Sequence, residues 1–262
     1  MSIFQAVGKG FSQSGKLVNI VVIFFALNFI MGLLVLPFSG PDNAGNPQAV
    51  AFTLIISLLS VLLFIFVQGG ALAAIKDLLK KNSFSMSDFV NNGKKYYTKI
   101  LGLFLLILAI VLVLVLIMAL IASGILALAN TGLVRSLVTA IVVLISLAAV
   151  VLFLFPIYSV VVDEAGPVAA LKKGINIGVN NFWKTLGLFL VMLIAAFVIA
   201  FIVGIITALI TGALPPGIGQ VIMLFINSIV QSYLSIVMMV AFMAFYLGLT
   251  QGAKAEEGPS AI

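Results

Sequence analysis

The sequence contains no cysteine and no histidine. Disulfide bonds, thiolate chemistry, and zinc or haem ligation through these two side chains are therefore excluded. Carboxylates are also few, and all seven lie in predicted loops or at the ends of apolar stretches: Asp42, Asp77, Asp88, Asp163, Glu164, Glu256 and Glu257. A nucleophile needs a neighbouring base, and only lysine or a carboxylate is available for that role. Because no spacing of these residues indicates such a pair, we expect neither catalysis nor a cofactor.

Asp163 and Glu164 are adjacent, and this acidic pair has two interpretations. It binds a metal ion or a lipid headgroup, or it favours the N-terminus of the helix that follows it. Pro167 suits the first turn of such a helix. We therefore favour the helix terminus and predict no metal site.

Charged residues make up only 8% of the 262 residues, whereas 64% are hydrophobic, and the mean hydropathy is +1.37. A soluble fold cannot bury so much apolar surface, so the bilayer must act as the solvent. The apolar runs are unbroken, which favours helices over the alternating pattern of a membrane β-barrel. The first run, Leu17 to Pro37, is too long for a signal-peptide core. The chain is therefore predicted to be an all-α, polytopic membrane protein that keeps this run as an anchor.

The basic residues are concentrated in short segments between these apolar runs. Of the 13, all but Arg135 lie at residues 9–16, 76–99, 172–184 and 254. Basic loops stay on the cytoplasmic side. Six spans are therefore predicted at about 17–38, 50–75, 99–129, 134–162, 184–213 and 217–249. Both termini are predicted to face the cytoplasm of a prokaryotic inner membrane, and the scattered lysines argue against a nucleic-acid partner.

An internal repeat is visible when the chain is compared with itself. The sequence TKILGLFLLIL at 98–108 matches WKTLGLFLVML at 183–193. Gly93 and Gly178 then align six residues before Lys99 and Lys184, and Gly10 precedes Lys16 by the same spacing. We predict one membrane domain at 1–251 with three parallel repeats, about 1–78, 79–163 and 164–251, and a disordered tail at 252–262. Each repeat is an amphipathic cytoplasmic helix, a boundary lysine and a hairpin of two spans.

Three amphipathic segments, around residues 3–11, 85–97 and 168–182, precede the odd-numbered spans. A helix with lysines on one face and apolar side chains on the other is expected to lie in the membrane interface. We expect anionic membrane lipids to contact Lys9, Lys16, Lys94, Lys95, Lys99, Lys172, Lys173, Lys184, Trp183, Tyr96 and Tyr97.

Polar side chains in the spans are uncharged, and three of them share one face of span six. Asn227, Gln231 and Ser235 recur every four residues. They form interhelical hydrogen bonds, worth ~0.6 kcal/mol on average, or they line a cavity or pore. The sequence leaves both interpretations open.

Small residues recur every four positions down span five: Ala196, Ala200, Gly204, Ala208 and Gly212. Such a stripe lets another helix approach closely. The approaching helix belongs to a neighbouring span, to a second copy of the chain or to another membrane protein.

The segment AALKKG at 169–174, followed by NNFWKTLGL at 180–188, resembles a known group of membrane proteins. These are the bacterial and archaeal proteins grouped with the membrane domain of glycerophosphodiester phosphodiesterases and with the YciC-like proteins of unknown function. The resemblance covers roughly residues 70–250 and contains no catalytic signature. It implies membrane helices of unknown function. It does not imply phosphodiesterase activity, because we expect only a short tail after span six and not the soluble phosphodiesterase domain that some relatives append.

Two functions remain open from the sequence. The first is a non-catalytic protein that engages lipids or partner proteins through its amphipathic segments and organises the membrane. The alternative is a transporter or channel for a small or amphipathic solute, with Asn227 and Gln231 near its path.

Overall fold

The computed structural model describes residues 1–256 except 41, 42, 44 and 130, and describes the backbone alone at 216 and 251–256. All regular secondary structure in this part of the chain is helical. The α-helices are α1 (Ile3–Ser14), α2 (Val18–Val35), α3 (Pro47–Lys81), α4 (Ser87–Leu128), α5 (Gly132–Phe153), α6 (Pro156–Val162), α7 (Pro167–Asn180), α8 (Phe182–Thr211) and α9 (Pro216–Glu256).

Six stretches of the described chain are long and apolar enough to cross a membrane: Ile3–Phe38, Pro47–Lys81, Ser87–Leu128, Gly132–Val162, Phe182–Thr211 and Gly217–Thr250. They coincide with the six predicted spans and confirm an all-α, polytopic architecture. Each has at least 30 residues, whereas about 20 cross a ~30 Å hydrocarbon core. Tilt, or helix that extends beyond the hydrocarbon, accommodates the excess.

The three amphipathic segments join their spans in different ways. A 3-10 turn at Gly15–Leu17 separates α1 from α2, and Asn181 separates α7 from α8. The second segment is not a helix of its own, because it forms the first turns of α4, which runs unbroken for 42 residues. Tyr96 occupies the position in the repeat that corresponds to Asn181. The chain leaves the helix at Asn181 but continues as helix through Tyr96.

The end of the chain also differs from the prediction. We expected a disordered tail from residue 252, but α9 continues to Glu256. Residues 257–262 of that predicted tail lie outside the described residues.

The contacts divide the chain into two compact units. The first comprises Met1–Tyr97 and the chain from Gly187 onward, and the second comprises Thr98–Leu186. In the first unit, α9 packs against α1, α2 and α3. In the second unit, α7 packs on α5 and α6.

Aromatic and polar contacts hold the helices of the first unit together. The rings of Phe24 and Phe64 meet edge to face at 5.2 Å and join α2 to α3. The Asn28 amide donates a hydrogen bond of 2.9 Å to the Ser232 hydroxyl and joins α2 to α9. These contacts assign Asn28 and Ser232 to interhelical bonding.

Three glycines aligned by the sequence repeat lie at helix crossings, which are tight at Gly10 and Gly93, whereas a Cβ at Gly178 would make ordinary van der Waals contacts. In each case an amphipathic segment meets a return span, which is the second span of a hairpin. An ideal Cβ would lie 2.9 Å from the Val237 carbonyl oxygen at Gly10, 3.0 Å from that of Phe66 at Gly93 and 3.5 Å from that of Val151 at Gly178. The first, second and third segments thus cross α9, α3 and α5 respectively.

Replacing Gly10 with alanine is expected to disrupt the docking of α1 on α9. The new methyl group would lie 2.9 Å from the Val237 carbonyl oxygen and 3.0 Å from the Ala241 Cβ. We expect this overpacking to lower the free energy of unfolding by about 1–3 kcal/mol. Unfolding in mixed micelles of detergent and dodecyl sulfate measures the change.

Gly8 supplies the matched control on the same helix, because nothing lies within 4 Å of its ideal Cβ. Gly8→Ala is expected to stabilise α1 by about 0.5–1 kcal/mol through helix propensity alone. Equal effects of the two substitutions would contradict the docking of α1 at Gly10.

Candidate functional site

Two of the predicted lipid-contacting lysines bind the protein itself. Lys99 Nζ donates to the carbonyl oxygen of Glu164 at 2.7 Å, and Lys16 Nζ donates to Asn82 Oδ1 at 3.1 Å. Among the described residues, Asn82 and Glu164 are the two non-glycine residues with positive φ, each at 55°. Both lie in the connection that leads into the next amphipathic segment. Lys16 and Lys99, which align in the repeat, therefore hold left-handed turns that start these segments.

The acidic pair before α7 has a different role from the predicted one. The N-cap of α7 is Gly166, and no side chain caps that helix. Instead, Asp163 forms an ion pair with Lys173 at 2.8 Å and accepts a hydrogen bond of 3.1 Å from the Ser159 hydroxyl. The ion pair between Asp163 and Lys173 therefore joins α7 to the end of α6. A partly exposed ion pair of this kind contributes at most about 1 kcal/mol.

Tyr96 is an exception to the predicted lipid contacts. It is only 1% exposed, and its hydroxyl accepts a hydrogen bond of 3.4 Å from Lys76. Its position on the helix gives the reason, because Phe89, Gly93 and Tyr96 share the face of α4 that packs on α3. Tyr97, one residue further round the helix, is half-buried.

The remaining basic residues of the amphipathic segments lie at the surface. Lys95 is exposed and places its amino group 5.1 Å from the Tyr96 ring centroid. Trp183 is 79% exposed, and its ring meets Phe182 edge to face at 5.5 Å. Besides Lys16, which is exposed while it binds Asn82, the exposed lysines among the predicted lipid contacts are Lys9, Lys94, Lys95, Lys172, Lys173 and Lys184.

Large apolar side chains are exposed in the same segments. Phe4 on α1 is 77% exposed, and Val90, Val168 and Val179 are also exposed. On α1 the opposite face, Ala6, Gly10 and Ser14, is buried. α1 is therefore held on one side by protein and presents Phe4 on the other.

The polar face of span six lines a groove between α8 and α9. Asn227, Gln231 and Ser235 face Ala196 and Ala200 across a volume of about 650 Å³. Asn227 and Gln231 are exposed, and neither carboxamide has a hydrogen-bond partner among the described residues. Asn227 lies about 15 Å along the helix axis from Gly217, where the apolar span begins. It therefore lies within the apolar span of 34 residues and away from the span's first turn.

The stripe of small residues on α8 extends beyond this groove. Ala196 and Ala200 line it, whereas Gly204, Ala208 and Gly212 are exposed further along the helix. We expected another helix to pack along the whole stripe. At Gly204, Ala208 and Gly212, no described span does so.

A second cavity was not foreseen from the sequence. It has a volume of about 720 Å³ and lies where α1 meets the ends of α3 and α9. Gln5, Lys9 and Lys80 form part of its lining. The only sequence signals were the lysines near the end of span two and the Ser2–Gln5 capping box, and neither indicates that these distant residues meet.

Comparison with known proteins identifies a family but no activity. A family model described as a domain of unknown function (DUF7847) matches residues 1–249. No significant match was found among curated proteins or solved structures. The resemblance to phosphodiesterase membrane domains and YciC-like proteins therefore stays a prediction. Because the match covers almost the whole chain, the protein belongs to the DUF7847 family, whose function is unknown.

Proposed function

We propose that this protein is a non-catalytic membrane protein that engages anionic lipids through its three repeated amphipathic segments. In this proposal the segments lie at the cytoplasmic face of a prokaryotic inner membrane, with both termini on that side. The observation that carries the proposal is the exposure of apolar side chains beside lysines, outside the apolar core of the spans. Water is a poor solvent for such a surface, and the lipid interface suits both of its components.

The orientation of α1 supports this function. Because Gly10 docks on α9, Phe4 is directed away from the protein. Full burial of a phenylalanine side chain contributes about 1.5–3 kcal/mol relative to exposure. Insertion of Phe4 among lipids recovers part of that free energy without any movement of α1.

The exposed lysines add an electrostatic contribution. A lysine near an anionic membrane surface contributes roughly 1 kcal/mol, and salt screens this attraction. Lys16 and Lys99 bind turns of the protein, and Lys173 pairs with Asp163. Among the exposed lysines of the second and third segments, we expect the lipid preference to depend most on Lys94, Lys95, Lys172 and Lys184, of which Lys95 also contacts the Tyr96 ring.

Neutralising these four lysines together is expected to reduce the preference for anionic over zwitterionic lipids. Each lysine-to-glutamine change removes roughly 1 kcal/mol of attraction at low salt. Spin-labelled lipids in proteoliposomes measure the relative association of the two headgroup classes. An unchanged preference in the quadruple variant, with its fold intact, would contradict the proposal.

The groove between α8 and α9 favours a second candidate, a pathway for a small or amphipathic solute. Transfer of an unpaired amide from water to hydrocarbon costs about 4–8 kcal/mol. Asn227 and Gln231, which lie within the apolar span Gly217–Thr250, therefore need water, a ligand or another polar group. A hydrated path along the groove satisfies that need.

The double variant Asn227→Leu, Gln231→Leu tests this candidate. If the groove conducts solute, flux from proteoliposomes is expected to fall to the protein-free level, because the polar lining is lost. Asn28→Leu is the control, since it removes a carboxamide that bonds to Ser232 outside the groove. Tight wild-type vesicles, or unchanged flux in the double variant, would exclude the groove as a pathway.

A further inference from the structure

The cavity at the end of α1 combines cationic and apolar walls. Its lining includes Lys9 from α1, Leu79 and Lys80 from α3, and Leu247 from α9. Its volume of about 720 Å³ lies within the roughly 300–1,000 Å³ of small-molecule sites. The cavity therefore has room for a ligand larger than a simple ion.

The polar part of the lining presents hydrogen-bond donors. Among the described residues, Lys9 and Lys80 form no ion pair and no carboxylate lines the cavity. Asp77, on the same helix as Lys80, pairs with Lys81 at 3.1 Å. The Gln5 Oε1 atom accepts the Ser2 backbone N–H at 3.0 Å, which leaves the Gln5 amide nitrogen as a donor. Two amines and one amide thus favour an anion with several acceptor oxygens.

The cavity lies just beyond the apolar run of α3, where we expect lipid headgroups. Lys80 is one residue from the end of α3, where the long apolar run gives way to the lysines at 76–81. Leu79 and Leu247 continue the lining with apolar surface. A ligand that matches both parts carries an anionic group on an apolar body, as a phospholipid does.

Close packing fixes the walls before a ligand binds. Gly10 brings α1 onto α9, and an ideal Cβ at Gly248 would lie only 2.8 Å from the Met1 Cβ. Lys9 is one residue from Gly10, so the docking of α1 also positions this lysine. A preorganised site loses less conformational entropy on binding.

We propose that this cavity binds the phosphate of one anionic phospholipid, with Lys9 and Lys80 contacting the phosphate and Leu79 and Leu247 contacting its apolar part. This inference rests on the proposed engagement of anionic lipids and assigns one stoichiometric site to it. The lysines of the second and third amphipathic segments attract lipids collectively, whereas this cavity retains a single molecule.

Native mass spectrometry of the delipidated, full-length protein tests the site. The titrants are phosphatidylglycerol, phosphatidylcholine and free glycerol 3-phosphate. The wild-type protein is expected to retain one phosphatidylglycerol. Affinity is expected to fall about ten- to a hundredfold in Lys9→Gln, Lys80→Gln, because two charge-assisted contacts are lost.

Two further variants separate this site from the general lipid preference. Lys81→Gln, Arg135→Gln has the same net charge but alters basic residues outside the cavity lining and outside the lysines assigned to the collective preference, so it should keep the bound lipid. Lys9→Arg, Lys80→Arg keeps both charges and is also expected to keep the bound lipid. Retention in this variant would show that loss of charge, and not substitution at these positions, weakens binding.

The outcomes distinguish failure of this site from failure of the proposed function. Equal losses in the two glutamine variants would overturn the discrete site but leave the collective lipid preference standing. Equal binding of phosphatidylglycerol and phosphatidylcholine by the wild-type protein would overturn the anionic site, and the spin-label measurement then decides the collective preference separately. Glycerol 3-phosphate bound as tightly as the lipid would assign the phosphate site to a soluble anion and overturn the lipid occupant.

Discussion

The structure depends on close approach between helices whose surroundings give them little reason to associate. Lipid tails are as apolar as leucine, so burial of apolar side chains does not drive helix packing as it does in water. Dispersion contacts have to do so, and they require short distances. Gly10 and Gly93 provide such distances where the first and second amphipathic segments cross α9 and α3. The position of these two segments on the protein follows from these crossings.

Lysine has two physical roles along this boundary. Lys16 and Lys99 bind the turns at Asn82 and Glu164, whose positive φ is unfavourable for residues with a side chain. A charge-assisted bond to such a turn offsets part of that cost. Lys94 and Lys172 remain exposed beyond the packed faces of their helices. Lys16 and Lys99 thus help to place the segments, whereas Lys94 and Lys172 contribute charge to the surface.

The spans, the small-residue stripe and the faces of the amphipathic segments could be predicted because each depends on local periodicity. The shared face of Asn227, Gln231 and Ser235 was predictable for the same reason, and these residues line one groove. The burial of Tyr96 was missed because aromatic rings suit a lipid interface and a protein interior equally well, and only contact with α3 decides between them. The cavity joins Gln5, Lys80 and Leu247 from distant parts of the chain, and no local pattern indicates that they meet.

α9 separates the requirements of stability from those of function. From Ile236 to Leu247 nearly every side chain is buried. This stretch of α9 therefore belongs to the packed core of the first unit, in which α9 contacts α1, α2 and α3. Asn227 and Gln231 lie before that stretch and outside the packed core. Their carboxamides contribute no hydrogen bond to the described fold, so transfer to hydrocarbon would cost free energy unless a polar partner satisfies them. The groove that they line is where such a partner has room to bind.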